Sequence, residues 1–163
     1  MSYQKYIDSL PKKRMGASCL FFNSSNQLLL LKPTYRENWL IPGGVVEANE
    51  SPRQTCIREV KEEIGINHQP QSLLCIDYIN SPQNYGEALQ FVFYGGTLTA
   101  EEIKIDREEI AHYQFAPSDQ AIALLGKHAQ RRIYWSLEAL KSNKTLYLEN
   151  HESVLPTHTA TNT

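Results

Sequence analysis

Residues 51–65, SPRQTCIREVKEEIG, carry their own start and stop signals. Ser51 suits a helix N-cap, Pro52 the first helical position, and Gln54 completes a Ser-x-x-Gln capping box. Gly65 suits the left-handed residue that ends a helix. Each residue between them advances about 100° around the axis. With Ile57 at zero, Val60 falls at about 300° and Ile64 at about 340°, a single apolar stripe. Glu62, Glu59 and Glu63 fall at about 140°, 200° and 240°, away from that stripe. A helix so built needs an apolar surface to lie on and turns three carboxylates away from it.

The flanking sequence supplies that surface. MGASCLFFN (15–23) and QLLLLK (27–32) read as strands joined by a hairpin at SSN. NWLIPGG (38–44) reads as a short strand stopped by Pro42 and the glycine pair. SLLCIDYIN (72–80) and EALQFVFYGGTL (87–98) read as two more, joined by turn-rich SPQNYG. AHYQFAP (111–117) is a further strand. A helical stretch then starts at Pro117-Ser118-Asp119, breaks near Gly126 and continues through RRIYWSLEALKS (131–142). TLYLE (145–149) is a candidate last strand. This order predicts a mixed sheet covered by helices on both faces. The 163 residues suit one domain, placed at 1–150, and the polar, threonine-rich 151–163 is expected to form a flexible tail.

The plain explanation of the three acids is a solvated face. Its energetics are poor. Like charges at i,i+3 and i,i+4 cost roughly 0.2–0.5 kcal/mol per pair, and the helix dipole adds roughly 0.3–1 kcal/mol for each acid in the last turn. Lys61 lies on the other side of the wheel and Arg58 only flanks the group. A divalent cation relieves both costs. Grouped hard oxygens with no His or Cys beside them favour Mg²⁺ or Mn²⁺ over zinc.

Gly44, Glu50, Arg58, Glu59, Val60, Glu62, Glu63, Gly65 and Ile66 match every fixed position of G-x5-E-x7-R-E-U-x-E-E-x-G-U, U being a bulky aliphatic residue. In this the chain resembles the Nudix hydrolases. Nine fixed positions within 23 residues make the match specific, and with WLIPGG and HYQFAP it extends over roughly residues 14–125. The resemblance implies an α/β protein, a Nudix-type α/β/α sandwich with a mixed β-sheet and the box helix on one face. It implies metal-dependent hydrolysis of a diphosphate linkage in a nucleoside diphosphate derivative, such as a (d)NTP, an oxidised nucleotide, ADP-ribose or a nucleotide sugar.

By the same resemblance Glu59, Glu62 and Glu63 would bind Mg²⁺ or Mn²⁺, with the backbone carbonyl of Gly44 as a further ligand. Glu50 and Arg58 would form a structural ion pair that fixes the loop against the helix. Some family members take a box glutamate as general base and others a glutamate from a later loop. Glu62, Glu63 and Glu109 are therefore the catalytic candidates, with Glu101, Glu102 and Glu108 beside Glu109 in sequence. For the substrate, Tyr35, Trp39 and Tyr85 offer stacking surfaces and Arg36 a phosphate contact. Aromatics at strand positions serve equally as core.

Composition excludes some partners. A formal net charge of -2 gives no global basic field, so nucleic acid and anionic membranes are not expected partners. A small-molecule partner and a monomer or homodimer are expected. No apolar run reaches transmembrane length, and MSYQKYIDSLPKKRMG lacks the apolar core of a signal peptide. Cys19, Cys56 and Cys75 lack metal-site or disulfide spacing and suit reduced core thiols, which fits the cytoplasm. Two rivals remain: a non-catalytic nucleotide sensor on the same fold, and an RNA-directed decapping enzyme. The complete set of acids counts against the first, and the lack of a basic region against the second.

Overall fold

Leu28, Leu29, Leu30 and Leu31 are all fully buried, which a strand achieves only when both faces of its sheet are covered. Leu28 and Leu30 pack with Leu20, Phe22, Ile133 and Leu137 on one side. Leu29 and Leu31 pack with Cys19, Phe21, Cys56, Val60 and Ile64 on the other. The period-2 alternation of the two central strands thus feeds two cores, one under each helical layer.

The computed structural model describes residues 2–81 and 86–155. The elements are α1 (Tyr3–Ser9), β1 (Arg14–Phe22), β2 (Leu28–Pro33), β3 (Gly43–Val45), α2 (Pro52–Ile64), β4 (Ser72–Ser81), β5 (Gly86–Thr97), β6 (Ile110–Ala116), α3 (Ser118–Leu124), α4 (Lys127–Ser142), β7 (Leu146–Glu149) and β8 (Glu152–Ser153). A 3₁₀ turn spans Ala100–Glu102. The sheet runs β6-β2-β1-β5-β4-β7-β8, with β3 paired to β1 beside this path. β1 with β5 and β4 with β7 are parallel, and the other pairs are antiparallel. With α2 on one face and α3 and α4 on the other, the protein is an α/β/α sandwich on a mixed sheet.

Two expectations change. The strand expected over 38–44 reduces to Gly43–Val45. Pro42 has no N–H to donate and instead accepts from Cys19 N through its carbonyl (2.9 Å), while Trp39 and Leu40 make only isolated bridges to Leu125 and Leu31. Glu152 and Ser153, within the expected tail, pair instead with β7. Residues 156–163, and residues 82–85 of the expected SPQNYG turn, lie outside the described residues. The short α1, capped by Ser2 and burying nothing, has no counterpart in the sequence reading.

Candidate active site

α2 has the expected ends. Ser51 Oγ accepts from Gln54 N (3.2 Å), Gln54 Oε1 accepts from Ser51 N (2.8 Å), and Gly65 closes the helix at φ 72°. Its packed face is rotated from the expected one. Cys56, Val60 and Ile64 are fully buried, whereas Ile57 is only half-buried. On the helical wheel Cys56 adjoins Glu63, so Glu63 is carried to the edge of the core and is 5% exposed. The three acids are therefore not equivalent: Glu63 is buried, Glu59 is mostly covered, and the Glu62 side chain is 56% exposed.

Arg58 joins the loop to the acids. Its Nε and Nη2 donate to Glu50 Oε1 (2.9 Å) and Oε2 (3.0 Å), a two-pronged form of the ion pair that the resemblance implies. Its Nη1 also donates to Glu59 Oε1 (2.7 Å) and Glu62 Oε2 (3.1 Å), which the sequence reading missed. The i,i+4 spacing of Arg58 and Glu62 was the available signal. Glu50 further accepts from the Thr55 hydroxyl (2.7 Å) and Glu47 N (3.1 Å). Arg58, then Thr55, holds the Glu50 carboxyl down at about 2, and Glu50 in turn raises Arg58.

The glycine pair brings backbone against the acids. Gly43 N–H donates to Glu63 Oε2 (2.8 Å), at a φ of 147° where a side chain is strained. A Cβ at Gly44 would lie 2.1 Å from Glu59 Oε1, so any side chain there would displace that carboxylate. Burial pushes Glu63 up to about 8 despite the Gly43 bond, and the charges of Glu59, Glu109 and Glu62 add to the rise. Burial also raises Glu59, against the pull of Arg58, with Glu62 and Glu109 contributing. Glu109 is thus the later acid whose charge reaches both Glu59 and Glu63. It sits exposed immediately before β6.

The donor set suits a hard divalent cation: three carboxylates, a glycine backbone in contact with one of them, and mutual repulsion that a cation would relieve. The side chains do not form a ready-made cage. Among the described residues no three His, Cys, Asp or Glu groups converge to hold a metal. Arg58 draws Glu59 and Glu62 to itself, and Gly43 holds Glu63.

A family model for the NUDIX domain matches residues 12–137. The chain belongs to the NUDIX family. It is 36% identical over 101 residues to diphosphoinositol polyphosphate phosphohydrolase 3-beta of Bos taurus, covering 60% of this chain and 57% of that one. It is 35% identical over 81 residues to the m7GpppN-mRNA hydrolase of Saccharomyces cerevisiae, covering 50% of this chain and 7% of that one. The crystal structure of a MutT protein from Methanosarcina mazei Go1 superposes with a TM-score of 0.65 at 25% identity, over 83% of this chain and 99% of that one. The chain spans about half the length of the curated relatives it matches.

Around the NUDIX box the substrate candidates divide. Tyr35 is 65% exposed and stacks under the Arg36 guanidinium, 5.0 Å from the ring centre. Thr34 ties their loop to the loop of the later acids, its N–H donating to Glu109 O (2.8 Å) and its hydroxyl to Glu108 O (2.9 Å). Trp39 packs instead against the core under α3 and α4. Tyr85 lies outside the described residues.

Proposed function

We propose that the chain is a metal-dependent hydrolase of a diphosphate linkage in a nucleoside diphosphate derivative. The observation that carries this is Glu59 and Glu63 set against the Gly43–Gly44 backbone, with Glu62 beside Glu59 on Arg58 and Glu109 within electrostatic reach of Glu59 and Glu63. Glu59, Glu62, Glu63 and the Gly44 carbonyl would hold Mg²⁺ or Mn²⁺. When bound, such a cation neutralises the diphosphate and makes a water easier to deprotonate. Glu109, exposed and ionisable, takes the proton of the attacking water as general base. Glu63 is kept in place by the Gly43 N–H, and the Glu50–Arg58 pair holds the loop that carries both glycines.

Thr34 joins the loop of Tyr35 and Arg36 to the loop of this base. The guanidinium suits a phosphate of the substrate and the open ring suits a nucleobase. The named activities of the two curated relatives both concern phosphate chains joined to another group. A formal charge of -2 gives no global basic field to hold RNA, which favours a small molecule. Three free, buried cysteines favour a reducing compartment, and we place the protein in the cytoplasm. Among the described residues no helix is long and apolar enough to cross a membrane.

A panel of (d)NTPs, oxidised nucleotides, ADP-ribose and nucleotide sugars, assayed with Mg²⁺ for phosphate or nucleotide release, tests the proposal. Turnover of at least one member is expected. Tight binding of a member without any turnover would point to the sensor instead.

A further inference from the structure

We propose that Arg58 is the resident counter-ion of the acid cluster, yielding Glu59 and Glu62 when a divalent cation arrives while keeping its hold on Glu50. This rests on the hydrolase reading above and adds how the chain manages its own acids. A guanidinium carries its donors in a rigid plane, and here two edges of that plane do different work. One edge, Nε and Nη2, meets both oxygens of Glu50, and Nη2 also donates to Val45 O (3.2 Å). The Glu50 side chain is only 14% exposed and takes two further hydrogen bonds, from Thr55 and Glu47. That edge is built to stay.

The other edge is a single nitrogen. Nη1 is shared between Glu59 (2.7 Å) and Glu62 (3.1 Å), and Glu62 stands mostly in solvent, where an ion pair contributes little. These contacts engage two of the three acids on Arg58, while the third, Glu63, is held by Gly43. They also answer the charge problem at the end of α2, because repulsion among the acids is met from within the helix. Release of Nη1 frees both carboxylates at once, and the bonds to Glu50 and Val45 keep the glycine loop in register meanwhile. A lysine, with one compact ammonium on a flexible stem, cannot serve both edges together.

The test uses the full chain labelled with ¹⁵N and follows the Arg58 side-chain N–H signals, assigned by their loss in Arg58→Lys, through a Mg²⁺ titration alongside calorimetry. The Nη1 signals should move in step with Mg²⁺ occupancy while the Nε signal, held on Glu50, moves much less. Mg²⁺ binding with no movement of Nη1 would overturn the exchange while leaving the hydrolase reading intact. An absence of any Mg²⁺ binding would remove both.

Discussion

Glu108 and Glu109 are neighbours with the same side chain, yet only Glu109 bears electrostatically on both Glu59 and Glu63. Glu109→Gln should therefore lower kcat by about 10²–10⁴-fold and leave KM and Mn²⁺ affinity close to the parent, because the interaction is used only in the transition state. Glu108→Gln should run within a few fold of the parent in the same single-turnover assay. A small effect at Glu109 would return the base to the box glutamates. The box acids divide in another way. Glu50 faces Arg58 and Thr55, so Glu50→Gln should lower Tm more than it weakens Mn²⁺. Glu63→Gln should weaken Mn²⁺ and cost little stability, since it removes a buried charge that its neighbours oppose. Equal losses of Mn²⁺ affinity by calorimetry would refute that division. Gly44→Ala belongs with Glu63→Gln: its Cβ displaces the Glu59 carboxylate, and Mn²⁺ affinity should fall although the fold is kept.

Among the elements, the hairpin of β7 and β8 shows where sequence reading stops. Asn150 and His151 take φ of 49° and 71°, both left-handed, as a tight two-residue hairpin requires. The turn delivers His151 to Asp77 on β4, its N–H donating at 3.0 Å and its Nδ1 lying 2.6 Å from Oδ2, while Arg132 Nε donates from α4 at 2.9 Å. Residues 77 and 151 are 74 positions apart, so no local periodicity could announce the pair, and the polar sequence around His151 resembled a tail. The caps of α2 were legible because their partners lie three residues apart. The rotation of α2 toward Cys56 was not, because a small thiol and an isoleucine both satisfy the apolar pattern and only the opposing sheet chooses between them. Burial pushes the Asp77 carboxyl up, but His151 and Arg132 outweigh it and leave a net depression. The stability this ion contributes is complete above the unfolded value of about 4 and is lost as pH falls through the lower folded value. Asp77→Ala should cost about 3 kcal/mol by urea unfolding at neutral pH, since it leaves Arg132 half-buried without its carboxylate. The difference from the parent should narrow in acid.

For the molecule as a whole, the order of elements, strands first, one helix in the middle and helices later, sufficed to anticipate a sheet covered on both faces. The candidate site was legible in part, where its residues fall within one helix and its preceding loop. Its remaining parts are joined by the fold alone: Gly43 to Glu63 across 20 positions, and the loop of Tyr35 to that of Glu109 through Thr34. These joins bring the acid cluster of α2, Glu109 and the loop of Tyr35 together, and the proposed hydrolysis draws on all three. The most direct measurement is ³¹P NMR of the best substrate with the enzyme in Mg²⁺, after chelation with EDTA, and after Mg²⁺ is restored. The bridging diphosphate signals should give way to monoester signals in Mg²⁺, persist under EDTA, and give way again on restoration. Scission that continues undiminished under EDTA would contradict the role assigned to Glu59, Glu62 and Glu63.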